Sequence, residues 1–156
     1  LAARTGSLVG SIQVCSRTVE ASIWRMKRKG FDIGKVISGM GTCPIAPPVR
    51  DELLAMDRVN TALLYGVTVR YLVDCTDAEI EAVIEKLPFS ASRRYGEDFI
   101  DLFEEGKRDF YMVDKDIHTV ARYELTNIAT GNTFRAGVIR PDLLKKSFFR
   151  QDRFVD

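Results

Sequence analysis

Val120-Ala121-Arg122-Tyr123-Glu124-Leu125-Thr126-Asn127 and Thr133-Phe134-Arg135-Ala136-Gly137-Val138-Ile139 flank the turn Thr130-Gly131-Asn132. Two strand-like runs around a glycine turn read as an antiparallel hairpin. A sheet that contains this hairpin is not all parallel. Helical and strand-like segments alternate along the rest of the chain. Together they give an α/β unit with α+β character: one mixed sheet flanked by helices.

Upstream of the hairpin, residues 67–73 are β-branched and aromatic and read as a strand. Thr76-Asp77-Ala78-Glu79 is a capping-box pattern that opens a helix to Leu87. A loop follows over residues 89–94. Residues 96–105 read as a helix and 110–113 as a short strand. Nearer the N-terminus, Leu8, Ile12, Cys15, Val19, Ile23 and Met26 recur at steps of four and three. That spacing predicts one long helix over residues 7–29, capped by Ser7 and ended by Gly30. Residues 35–38 read as a short strand and Gly39-Met40-Gly41-Thr42-Cys43-Pro44 as a loop. Helical pieces are expected at 49–56 and 61–64. After the hairpin, Pro141 suits the first turn of a last helix. The chain reads as one compact unit over residues 1–149 with a frayed tail at 150–156.

Composition bounds the function. The chain has 156 residues, 23 Lys+Arg against 22 Asp+Glu, and 46% hydrophobic residues. A formal charge of +1 argues against a dedicated nucleic-acid binder. No apolar stretch approaches the roughly 20 residues that span a bilayer, and no signal peptide is visible. Cys15, Cys43 and Cys75 are too far apart for zinc spacing, and His118 is the one histidine. Three reduced thiols in a cytoplasmic protein without a metal site are expected. The first residue is Leu1, so the chain looks cut from something longer.

Chemistry is most concentrated on the first helix. Gln13, Arg17, Glu20 and Trp24 fall at spacings of four, three and four, on one side of a continuous helix. Arg17 and Glu20 can touch. A carboxylate held by a guanidinium can orient a water and take its proton, and the same pair can equally be a surface salt bridge. The glycine segment lacks the lysine end of a P-loop, so it reads as a plain turn or a ligand-facing loop. Ser90 to Gly96 gathers hydroxyls, two guanidiniums and a phenol, enough to hold an anion or to serve as a solvated helix start. His118, without ligand-type partners, reads as structural. Cys43 lacks a visible base.

Several segments taken together carry a resemblance. They are Thr5-Gly6-Ser7-Leu8-Val9-Gly10-Ser11-Ile12-Gln13 with Ser16-Arg17-Thr18-Val19-Glu20, and Ile37-Ser38-Gly39-Met40-Gly41-Thr42-Cys43-Pro44-Ile45-Ala46-Pro47. Residues 60–66, Ser92-Arg93-Arg94-Tyr95-Gly96 and Asp109-Phe110-Tyr111 with Asp114 follow in order. In order and spacing the chain resembles the methenyltetrahydromethanopterin cyclohydrolase family, over most of its length. Val120 stands where the family tends to carry proline, and Arg94 where one branch carries an acid.

The resemblance implies the C-terminal half of a two-lobed subunit that forms homotrimers. It implies a tetrahydromethanopterin-type one-carbon carrier as substrate and no metal or organic cofactor. The setting would be the one-carbon metabolism of methanogens or the formaldehyde oxidation of methylotrophic bacteria. It makes Arg17 and Glu20 the catalytic pair. It places Ser11, Gln13, Gly39, Gly41, Thr42, Cys43, Ser92, Arg93 and Tyr95 about the substrate. Two other readings stand beside it: a non-catalytic pterin-binding and assembly lobe, and a phosphate-binding domain built on Gly39 to Thr42.

Overall fold

A computed structural model describes residues 2–150. Four strands, β1 (Val36–Thr42), β2 (Thr68–Val73), β3 (Arg122–Asn127) and β4 (Thr133–Gly137), form one sheet in the order β1-β2-β3-β4. The β1/β2 and β3/β4 pairs are antiparallel and the central β2/β3 pair is parallel. The mixed sheet expected from the hairpin is therefore present. Glu124 pairs across the sheet with Arg70 on one side and Arg135 on the other, on the polar face.

The opposite face is core. Val69, Tyr71, Val73, Tyr123, Leu125 and Ala136 are buried there with Met26 of α2 (Thr18–Arg28) and with Ile80, Val83 and Ile84 of α4 (Asp77–Ile84). The Thr76/Glu79 capping box forms as the sequence predicts. A second cluster lies off the sheet. Helix α3 (Glu52–Gly66) contributes Leu64 and Tyr65, and α5 (Phe99–Glu105) contributes Phe99, Leu102 and Phe103. Leu143 and Leu144 of α6 (Pro141–Phe148) close over it.

Several elements differ from expectation. The long first helix breaks into α1 (Leu8–Cys15) and α2. Ser16 Oγ donates to Gln13 O at 2.8 Å, and Arg17 N closes onto Val14 O at 3.0 Å, so the helical ladder stops there. Ser7 caps α1 as predicted, accepting from Gly10 N at 3.1 Å. Leu8 and Ile12 are exposed, at 54% and 47%, so the start of the apolar stripe lies outside the core, which it enters at Cys15. The pieces at 49–56 and 61–64 are one helix, α3, capped by Asp51 through the amides of Leu53 and Leu54.

The predicted loop at residues 39–42 is strand. A Cβ on Gly39 would lie 2.4 Å from the Tyr71 ring, and one on Gly41 would lie 2.1 Å from Thr18 Oγ1. The glycines are there for close packing of β1, and turn propensity gave way to sheet pairing. The helices expected at 96–105 and 76–87 are shorter, starting at Phe99 and ending at Ile84. Gly96 sits at φ +96°, outside helical space. Residues 110–113 form turns and make no strand, with Phe110 packed on Phe99 and Phe103. Of the predicted tail, Arg150 is held by Asp98, Nη2 to Oδ2 2.5 Å, and residues 151–156 lie outside those described.

Candidate active site

Helix α2 is bolted to the sheet through Tyr71. Its hydroxyl donates to Val19 O at 3.2 Å and shares a 2.5 Å hydrogen bond with Ser22 Oγ. The Tyr71 ring occupies the space that Gly39 leaves free. This fixes the first turn of α2, where Arg17 is the N-cap residue and Glu20 lies three positions on. Arg17 Nε donates to Glu20 Oε2 at 2.8 Å, and the two side chains are 49% and 60% exposed. A carboxylate in the first turn also faces the unpaired amides of the helix start, a favourable arrangement of charge.

The pair stands at the edge of a cavity of about 400 Å³. Ala21 and Trp24 of α2 line one side, and Asn60, Leu63 and Leu64 of α3 line another. Phe110 and the segment Lys115 to Thr119 complete it. The His118 ring meets Trp24 edge-on at 5.0 Å and lies near-parallel to Phe110 at 6.1 Å. Burial, then the charges of Lys115, Arg17 and Arg28, push the imidazole below its ordinary pKa, and Glu20 pulls weakly the other way. The neutral form is therefore favoured.

The segment that carries His118 is pinned from α2. Arg25, 1% exposed, donates from Nη1 to Asp116 Oδ1 at 2.6 Å and from Nε to Leu87 O at 3.2 Å. Asp114 accepts from Arg93 Nη2 at 2.9 Å. Thr119 Oγ1 donates to Leu87 O at 2.5 Å. A space walled partly by aromatic rings, with one ion pair at its rim, can take a planar, positively charged heterocycle and present a carboxylate to it.

Of the residues placed about the substrate by resemblance, Arg17 and Glu20 line this cavity and the others do not. Ser11 is buried and donates to Ala46 O at 2.6 Å. Gln13 is exposed on α1. Gly39, Gly41 and Thr42 are in β1, and Cys43 packs against the cluster of Cys15, Ala46 and Val59. Ser92 is buried and accepts from Arg94 N at 3.1 Å. Tyr95 packs on Tyr65 and Phe89. All three cysteines are free thiols. Arg94, the departure from the family pattern, pairs with Glu97 and Glu105. Among the described residues, no group of three or more His, Cys, Asp or Glu is placed to hold a metal ion, and no helix is long and apolar enough to cross a membrane.

Sequence reasoning missed the walls contributed by Asn60, Leu63, Lys115, Ile117 and Thr119, and the place of His118 beside the pair. The resemblance gave the only signal for some of them, since Asn60 and Leu63 lie inside the segments that carry it.

Comparison with known proteins bears on the same residues. The family model described as Cyclohydrolase (MCH) matches residues 1–148. The chain is 38% identical over 146 residues to a methenyltetrahydromethanopterin cyclohydrolase of Methylobacterium nodulans, covering 94% of this chain and 45% of that protein. It is 41% identical over 150 residues to the protein of that name from Methanothermobacter thermautotrophicus, covering 95% of this chain and 47% of the relative. The match to the Methanobrevibacter smithii protein of the same name is also 41%, over 95% of this chain and 46% of the relative. The chain thus spans about half the length of the curated relatives it matches. With a match that runs from the first residue through α6 and takes in both sides of the Arg17–Glu20 cavity, the chain belongs to the cyclohydrolase (MCH) family.

Proposed function

We propose that this chain supplies the lobe of a cyclohydrolase that opens the methenyl bridge of 5,10-methenyltetrahydromethanopterin to give the N5-formyl pterin, reversibly, in one-carbon metabolism. One observation carries the reading: in a chain of this family, the Arg17–Glu20 ion pair stands at the rim of an aromatic-walled cavity. The methenyl carbon of the substrate lies in a cationic five-membered ring between two nitrogens. It is electrophilic enough to accept water without a Lewis acid, so the reaction calls on a base and on positioning, with no metal or organic cofactor.

Glu20 orients the water and takes its first proton as the carbon–oxygen bond forms. Its negative charge also favours the cationic substrate. Arg17 holds the carboxylate in line, and the protonated carboxyl later returns the proton to the leaving ring nitrogen. The Trp24 and Phe110 rings give the flat ring its walls. Of the other residues assigned by resemblance, Gln13, Thr42, Arg93 and Tyr95 would meet the remainder of the substrate. Ser11, Gly39, Gly41, Cys43 and Ser92 would shape the ground beneath it. The protein would act in the cytoplasm as a homotrimer in which a second lobe closes the cleft.

A second reading keeps the fold and the pterin affinity but places the chemistry elsewhere. It draws on the chain's spanning about half of its relatives. The test is loss of the methenyl chromophore, with appearance of the formyl product, by the full-length protein and by Arg17→Ala. The proposed function predicts rapid loss with the native protein and about 10²-fold slower loss with the variant, the cost of a misplaced catalytic group. Equal rates for the two proteins would favour the binding lobe.

A further inference from the structure

Opening a cyclic amidinium with water releases one proton, and the Arg17–Glu20 pair leaves that proton unassigned. The argument rests on the function proposed above. Water brings two protons to the methenyl carbon. The first passes to the Glu20 carboxylate as the C–O bond forms and the π pair of C=N returns to a ring nitrogen. The neutral carbinol adduct keeps the second on its hydroxyl. Collapse to the formyl group needs that second proton removed while the C–N bond breaks. The bond's electron pair leaves on the ring nitrogen, which takes the proton held by Glu20. The carboxylate is restored, and one proton is left for another base.

The cavity holds a base of the right kind. His118 lines it together with Arg17 and Glu20. The ring is clamped between Trp24 and Phe110. Its Nε2 is shut off from solvent and has no hydrogen-bond partner among the described residues. Buried polar side-chain atoms are nearly always paired, so an unpaired ring nitrogen beside a ligand-sized cavity points to a partner that the ligand supplies. The charged groups that face the ring are Arg17, Arg28 and Glu20 from α2 and Lys115 from its own segment. Three cations against one carboxylate, added to burial, favour the uncharged imidazole. An uncharged imidazole has a lone pair to give and, once protonated in that field, passes the proton on readily.

We propose that His118 is the second base of the site, its Nε2 accepting the hydroxyl proton of the carbinol adduct as the C–N bond breaks and passing it to water that enters the cavity when the formyl product leaves. Glu20 and His118 thus divide the two protons of the attacking water. The ring nitrogen of the substrate receives the first and the solvent the second.

The test uses the full-length protein with methenyltetrahydromethanopterin and the variants His118→Gln, His118→Phe and His118→Ala, with Glu20→Gln alongside. His118→Gln and His118→Phe should lower kcat about 10²-fold, within the usual range for loss of a general base, with KM little changed. The native rate should fall on the acid side as the imidazole takes up a proton, below the ordinary histidine value of about 6.5. Both variants should lose that limb. Added imidazole should partly restore His118→Ala in proportion to its free-base form, which a purely structural role would not produce. Native-like kcat with the acid limb intact in His118→Gln overturns the proposal. So does recovery by His118→Phe, which would reduce the residue to ring packing. A native protein that leaves the methenyl bridge closed refutes the cyclohydrolase reading itself, an outcome distinct from a native protein that turns over and His118 variants that match it.

Discussion

Helix α2 carries an arginine–carboxylate pair near each end, and the two are built differently. Arg17 and Glu20 lie within one turn of each other, with 49% and 60% of their side chains in solvent. Arg25 and Asp116 are 91 residues apart, and the guanidinium of Arg25 is 1% exposed. An exposed pair of the first kind contributes a few tenths of a kcal/mol to stability, about what a surface i,i+3 contact gives. Its groups are therefore free to be used by a ligand at little structural cost. The second pair has its guanidinium in the interior and its carboxylate 26% exposed, and it ties the segment bearing His118 to α2. Removing one partner there strands a desolvated charge. Position relative to solvent, and not charge type, separates the pair proposed to do chemistry from the structural one.

Arg25→Met should be the most damaging change to this contrast. It leaves Asp116, 26% exposed, with Lys29 at 3.7 Å and the Ser92 hydroxyl, removes the Nε donor from Leu87 O, and should cost about 2–3 kcal/mol, read as a shift in the denaturant midpoint. A midpoint within error of the native protein would show the two pairs to be alike. Gly41→Ala sharpens the contrast from a third position. Its Cβ would fall 2.5 Å from Thr18 Cβ, and Thr18 is the residue between Arg17 and the body of α2. About 1–3 kcal/mol of stability should be lost to overpacking, and turnover should fall with it because the displaced residue adjoins Arg17. Calorimetry and an activity assay on one preparation would read both.

The smallest effect is expected in the acid range. Burial raises the pKa of Asp116, but the hydrogen bond from Arg25 and the charges of Arg25 and Lys29 outweigh it and leave the carboxyl below its ordinary value. The stability this gives is complete above the unfolded value of about 3.9 and is lost as pH falls through the lower folded value. Asp116→Asn should therefore be less stable than the native protein at pH 7 and lose less stability on acidification below pH 4. Urea unfolding at the two pH values would show it. Parallel acid slopes would mean that the pair carries no linked proton.

Much of this contrast was legible in the sequence, but unevenly. Arg17 and Glu20 are three residues apart, and local spacing is what periodicity reads. Tyr123, Leu125 and the turn at Gly131 announced the hairpin for the same reason. The break at Ser16 was hidden because an apolar stripe continued across it, while a serine hydroxyl competed for the helix's own carbonyl. Gly39 and Gly41 looked like a loop because their fit against Tyr71 and Thr18 is a property of packing between distant elements. Arg25 gave no signal at all, since its carboxylate partner lies 91 residues away. His118 read as structural for want of neighbours that only the fold brings to it.

On the proposed function, the Arg17–Glu20 pair serves chemistry and not stability. The most direct test measures thermal unfolding and single-turnover opening of the methenyl bridge on the same preparations of native protein and Glu20→Gln. The unfolding curves should coincide to within about 0.5 kcal/mol, the pterin should still bind, and ring opening should slow by about 10²- to 10⁴-fold. A Glu20→Gln protein that opens the ring at the native rate, or one that loses activity only because it no longer folds, would contradict it.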